Sequence, residues 1–219
     1  MEKDTSRIEA FSDGIFAVAI TLLSVEIGVD ISSIESHHAL KLTSNEELTQ
    51  QLIILWPKIF AFFNSFASVL LMWMSHHQIF KLLRTANKKL ILSNGLLLLI
   101  IALVPFPTKT VGEFLGTDAQ RTAILFYTGY SVIIASAYFL FINATGGKEG
   151  KLFLPHVSEK TISGIKKGLF TGLCLNIAIF IIAFFAPIAG LVLNFFMWIF
   201  WAIVASESNE NTDQSKEPI

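Results

Sequence analysis

Residues 7–27 read RIEAFSDGIFAVAITLLSVEI, an Arg-x-x-x-Phe-Ser-Asp lead that runs into an apolar stretch with no proline. At roughly 1.5 Å of rise per residue, a helix of about 20 such residues crosses the hydrocarbon core of a bilayer. Wound at about 100° per residue, it carries Phe11, Val18, Thr21, Leu22 and Val25 on one face, with Arg7 at its base. Ser12, Asp13, Phe16, Ile20 and Leu23 fall on the other. The two faces call for different surroundings. Medium-sized apolar side chains with one hydroxyl can line a narrow pore about a symmetry axis, whereas a carboxylate at membrane depth needs a partner inside the protein, because an unpaired charge there is costly.

Composition agrees that lipid is the solvent. Of 219 residues, 53% are hydrophobic, 20 are Phe and only 15% are charged, against roughly 25% charged in soluble domains. The mean hydropathy is +0.62. A net charge of -1 and a pI near 6.5 come with no basic patch interleaved with aromatics, so nucleic acid is not an expected partner. The one cysteine, Cys174, leaves no intrachain disulfide or thiolate metal site and is expected to be a small apolar filler. The first span lacks the short apolar core and cleavage site of a secretory leader and is expected to be retained.

Taken in order, a polar lead-in precedes the first span, which ends near Gly28, and a polar loop with His37 and His38 follows. Further spans are expected over residues 51–80, with Trp56 and Pro57 in the first turns, and over 90–110, 122–143, 164–185 and 188–204. Residues 81–89 form a basic turn, and 111–120 and 144–163 are connectors. The expected fold is an all-α membrane protein with six transmembrane helices. Its domain covers residues 1–205, and 206–219 read as a disordered polar tail. Phe60, Phe62, Phe63 and Phe66 read as packing.

Lysine and arginine set the orientation. One side of the six-span arrangement collects Lys3, Arg7, Lys81, Arg84, Lys88, Lys89, Lys148, Lys151, Lys160, Lys166, Lys167 and Lys216, while the other has Lys41, Lys58, Lys109 and Arg121. Both termini are therefore expected in the cytoplasm. Arg7 then lies at the cytoplasmic mouth of the first span and Glu26 at its outer end, followed by Asp30, Glu35, Glu46 and Glu47. Such an acidic vestibule would concentrate cations, and an ordinary solvated loop accounts for the loop acids equally well.

The second polar cluster is Trp73-Met74-Ser75-His76-His77, near the cytoplasmic end of the second span. Adjacent histidines point about 100° apart on a helix and cannot form the i, i+4 pair that binds zinc, so no metal site is expected. Either imidazole can lie at the depth of Asp13 and bond its carboxylate, which supplies the partner that the first span requires. Asn94, an amide inside an apolar run, reads as inter-helical glue.

Arg7, Phe11, Ser12 and Asp13, followed by Gly-Ile-Phe-Ala-Val-Ala-Ile-Thr-Leu-Leu, resemble the opening signature of the transmembrane protein 175 family of cation channels. Trp73-x-x-His76-His77, Leu92-Ser93-Asn94 and Val104-Pro105-Phe106-Pro107-Thr108 resemble that family too, so the motifs carry the likeness as far as Thr108. With room for one six-span repeat, the chain resembles the prokaryotic branch. The resemblance implies a homotetramer in the plasma membrane with the first helix around the pore, and monovalent cations, potassium first, as permeant ions without a cofactor. It implies selectivity at Thr21, and an inter-helical polar network of Arg7, Phe11, Ser12 and Asp13 with Trp73, His76, His77 and Asn94.

The expected function is thus a potassium-permeable cation channel constricted by Val18, Leu22 and Val25, where an apolar ring controls ions by controlling water. The alternative is a proton- or ion-coupled transporter using Asp13 and His76 or His77 as a relay, although no match between inverted halves is visible. An intramembrane enzyme would have Ser12, Asp13 and the histidines as raw material, but no nucleophile elbow or His-Glu-x-x-His accompanies them. Tyr127-Thr128-Gly129-Tyr130-Ser131 lacks the Val, the final Gly and the pore helix of a carbonyl-cage filter. It reads as an interfacial aromatic belt.

Overall fold

A computed structural model of the chain describes residues 5–25, 27, 45–145 and 152–213. Glu26, the loop acids Asp30 and Glu35, and His37 and His38 lie outside the described residues. The helices are α1 Ser6–Val25, α2 Asn45–Ile54, α3 Trp56–Leu82, α4 Lys88–Ala102, α5 Pro105–Phe114, α6 Gln120–Ala144, α7 Glu159–Phe185 and α8 Pro187–Asp213. Among the described residues the one β feature is an isolated bridge between Leu83 and Phe153.

Among the described residues, five segments are long and apolar enough to cross a membrane: α1, α3, the α4–α5 pair over Lys88–Phe114, α6 and α7. A shorter apolar stretch, Pro187–Ala202, lies in α8. The described residues follow the expected all-helical membrane plan, with five full-length spans and a shorter apolar helix where the sixth was expected.

Three boundaries differ from the sequence reading, each for a local reason. The second span is two helices, because Pro57 sits in the first turn of α3 and its ring cannot continue α2; Leu55 N–H instead makes a tight turn to Leu52 O at 3.3 Å. The third span is also broken. Pro105 has no N–H for the Ile101 carbonyl, which accepts from Val104 N–H at 3.1 Å. The second half, α5, then runs on to Phe114, into the stretch expected as a loop, and ends where Gly116 takes a φ of 87° that a side chain would oppose. At the C-terminal end, the backbone of α8 stays helical to Asp213, beyond residue 206 where a polar tail was expected.

Caps start the helices that follow loops. The Asn87 side chain accepts from Leu90 N–H at 2.8 Å to begin α4, and Ser158 Oγ accepts from Thr161 N–H at 3.1 Å to begin α7. The α6–α7 connector is tied to the α3–α4 turn, with Arg84 N–H donating to Leu152 O at 2.7 Å and Leu154 N–H to Leu82 O at 2.9 Å.

Helix α6 is central, packed on α4, α5, α7 and α8, while α1 sits at one side against α3 and α4. The larger core joins Phe16, Ala19 and Leu23 of α1 to Val69 and Phe80 of α3, Leu97 and Ile101 of α4 and Phe141 of α6. Helix α1 is thus anchored by one stripe and uncovered elsewhere.

Candidate functional site

The burial of α1 divides it as its periodicity predicts. Ser12 and Leu23 are 0% exposed and Phe16 and Ala19 are 1% exposed, whereas Phe11, Val18, Leu22 and Val25 are 65%, 56%, 46% and 71% exposed. Between those large side chains, Ala10, Gly14, Ala17, Thr21 and Ser24 are also exposed. Thr21 Oγ1 donates to Val18 O at 2.9 Å, and Ser24 Oγ donates to Thr21 O at 2.7 Å. Each hydroxyl proton is therefore turned onto the helix, and the oxygen lone pairs remain on the uncovered side.

On the buried side the structure brings Ser12, Asn94 and His76 into one chain. Ser12 Oγ donates to Ile8 O at 2.8 Å, so it must accept the next bond, which comes from Asn94 Nδ2 at 3.0 Å. The Asn94 carbonyl is left for His76 Nε2 at 2.8 Å, and since a carbonyl only accepts, that nitrogen carries the proton. His76 Nδ1 is buried with no hydrogen-bond partner. Around the ring stand Phe16, Phe80 and Phe141, with centroids 5.3, 4.6 and 5.5 Å away.

Asp13 finds a different partner from the histidine expected for it. Its Oδ1 accepts from Trp73 Nε1 at 2.8 Å, and an indole N–H, which can only donate, suits an acceptor-only carboxylate. His76 goes instead to Asn94, one helix turn along α3. His77 stacks on Trp73 with ring centroids 5.6 Å apart and reaches Glu9, which the sequence reading did not single out, at 2.8 Å from Nδ1 to Oε1. That contact is close but not an aligned hydrogen bond, because Nδ1 has no partner of acceptable hydrogen-bond angle. Arg7 and Phe11 are exposed and join no hydrogen bond of this network among the described residues. Glu26 lies outside the described residues.

A second polar network went unread in the sequence. Tyr127 is buried, not interfacial: its hydroxyl accepts from Asn64 Nδ2 at 2.9 Å and lies 2.9 Å from Ser65 Oγ, which is 2.7 Å from Thr108 Oγ1. Asn194 joins through Asn64 Nδ2 at 3.3 Å and donates to Ser131 Oγ at 3.1 Å. Tyr130 donates to Ile100 O, a carbonyl near the break between α4 and α5, at 2.6 Å. The expected aromatic belt is thus an interior seam that joins α3, α5, α6 and α8. The available signal was Asn64-Ser65 and Asn194 inside apolar runs, since polar groups at membrane depth seek one another. Phe60 stacks on Phe195 at 5.1 Å, while Phe63 faces outward, as does Cys174, which is no interior filler.

Residues 7–105 match the family model described as endosomal/lysosomal potassium channel TMEM175. The chain is 42% identical over 137 residues to a potassium channel of Chamaesiphon minutus, covering 63% of this chain and 64% of that one. It is 35% identical over 156 residues to a potassium channel of Streptomyces collinus, covering 70% of each. The human endosomal/lysosomal proton channel TMEM175 is 33% identical over 108 residues, which is 49% of this chain and 21% of the human one. The structure of this chain superposes on the crystal structure of a lysosomal potassium-selective channel TMEM175 homologue from Chamaesiphon minutus with a TM-score of 0.77 and 33% identity, covering 92% of this chain and 97% of the other. The motifs, the helix plan and these matches together make the chain a multi-pass membrane protein that belongs to the TMEM175 family.

Proposed function

We propose that the chain is one subunit of a homotetrameric, potassium-permeable cation channel in which four copies of α1 surround the pore. The observation that carries this reading is the uncovered face of α1. A helix facing only lipid has no use for hydroxyls, but Ala10, Gly14, Ala17, Thr21 and Ser24 interleave with Phe11, Val18, Leu22 and Val25 on that face. Small residues allow close helix approach, and the larger ones between them narrow an axial path. Val18, Leu22 and Val25 form the constriction in this proposal, and Thr21 offers a ring of oxygens to a partly dehydrated ion. Relatives described as potassium channels support potassium as the ion. Ser12, Asp13, Trp73, His76 and Asn94 hold α1 in position and are not traversed by ions.

Both termini are cytoplasmic in this proposal, on the side of Lys81, Arg84, Lys88 and Lys89, and Glu26 contributes to an acidic outer mouth. The coupled-transporter alternative is weakened by Asn94. Its amide occupies the His76 Nε2 side of the ring, while Asp13 accepts from the Trp73 indole and not from an imidazole, so the described residues show no direct Asp13–histidine bond along which a proton would pass. The test is purified protein in liposomes under an imposed potassium gradient. Potassium flux that dissipates the gradient without a co-transported ion is the expected result. Flux that appears only with a proton or sodium gradient would replace the channel with a transporter.

A further inference from the structure

Inside the single subunit, away from the uncovered face of α1, lies a cavity of about 60 Å³ walled by α3, α6, α7, α8 and the segment where α4 gives way to α5. A buried water needs about 10 to 15 Å³ on this measure, so the space holds several waters or one compact molecule. Most of the wall is apolar, with Met72, Ile134, Leu169, Met197 and Trp201 contributing. A dry hydrocarbon fit is nevertheless incomplete. Ser75, also in the wall, has no hydrogen bond among the described residues, and Asn176 uses its Nδ2 on Gly172 O at 2.8 Å and leaves its carbonyl free. One residue behind the wall, Asn64 Oδ1 is buried with no partner.

An apolar chamber with a few unanswered hydrogen-bonding groups suits a small uncharged amphiphile better than its alternatives. A cation would find no carboxylate in the wall, and waters filling the whole space would meet mostly apolar surface, with hydroxyls and amides such as Ser65, Tyr127, Ser131 and Asn194 already bonded within the wall. Position adds a consequence. Met72 and Ser75 line the cavity on the same turns of α3 whose other side presents Trp73 and His76, the residues bonded to Asp13 of α1 and Asn94 of α4.

We propose that this cavity is a binding site for short-chain alcohols and their halogenated analogues, entering from the bilayer, and that an occupant changes ion conduction by moving the turns of α3 that hold α1. Binding is independent of the channel reading; the effect on conduction rests on it.

The probe for binding is 2,2,2-tribromoethanol, added to the full-length protein in lipid nanodiscs and to crystals. Tryptophan quenching should saturate, the saturable part should vanish in Trp201→Phe, and Ser75→Leu, which fills the chamber, should weaken it about tenfold, or roughly 1.4 kcal/mol. Bromine anomalous scattering in wild-type crystals should fall inside the cavity, which keeps the test valid if Ser75→Leu folds poorly. Unsaturable quenching that is equal in all three proteins, or crystals with only water in the chamber, overturns the site. For conduction, potency of straight-chain alcohols should rise about fourfold per methylene, the equivalent of ~0.8 kcal/mol per buried CH₂. It should then stop at a chain length that is shorter in Ser75→Leu. Potency that keeps rising identically in both proteins is plain bilayer partitioning and overturns the coupling, as does saturable binding with unchanged flux. Absence of potassium flux in the alcohol-free protein overturns the channel reading and leaves the bromine result standing.

Discussion

Asn94 is the residue on which the packing of α1 turns. It donates to Ser12 and accepts from His76, so Asn94→Leu leaves the buried His76 Nε2 without an acceptor and removes the bond Ser12 accepts, although Ser12 still donates to Ile8 O. An orphaned buried group costs about 1 to 3 kcal/mol. The expected outcome is a lower unfolding temperature in detergent and loss of the assembled species on size-exclusion chromatography; a variant as stable as wild type would mean that the chain of bonds is dispensable. Thr21 calls for a subtler test, because its hydroxyl already bonds Val18 O within its own helix. Thr21→Val keeps shape and branching but deletes the oxygen. Potassium over sodium permeability, read from bi-ionic reversal potentials, should fall while assembly is retained. Equal reversal potentials would make Thr21 a packing residue.

At the scale of the element, α1 is a helix with one packed side and one side left uncovered within the subunit. If its uncovered face lines the pore, introducing an amide there changes wetting before it changes the fold, because Val18 and Leu22 are about half uncovered within the subunit and belong to no buried core. Val18→Asn and Leu22→Asn should therefore raise potassium current severalfold and weaken ion preference, with normal oligomer size. Unchanged conductance in both variants would move the constriction elsewhere on the helix. The α4–α5 break is an element of another kind. Two prolines end one helix and start the next, and the freed carbonyls are answered nearby, Ile101 O by Val104 N–H and Ile100 O by the Tyr130 hydroxyl at 2.6 Å.

For the molecule as a whole, α1, α3 and α4 carry the site, and α6, α7 and α8 form a scaffold joined to it through the Asn64–Tyr127–Asn194 seam. The α7–α8 corner is close-packed: a Cβ on Gly190 would lie 2.4 Å from Ala183 Cβ and 2.6 Å from its Cα. Gly190→Ala should therefore destabilise the subunit by about 1 to 3 kcal/mol through overpacking. Ion selectivity per assembled channel should not change, since the corner is remote from α1. A selectivity shift in that variant would show that scaffold and pore are not separable.

The sequence by itself determined the solvent, the number of apolar segments and the two faces of α1, because helical period and membrane length follow from local composition alone. Ser12, Phe16 and Leu23 are buried where the period of the helix puts them. It also singled out Asp13, Trp73, His76 and Asn94 as polar groups too costly to leave alone at membrane depth. Which of them meet was decided by tertiary structure. Asp13 took the donor-only indole of Trp73 and not an imidazole, and His76 turned to Asn94, because the relative height and rotation of α1, α3 and α4 set those distances and no local rule does. The same holds for Tyr127, whose place in an apparent aromatic belt became an interior bond to Asn64, and for Glu9, which acquired a role only when His77 of a distant helix arrived beside it.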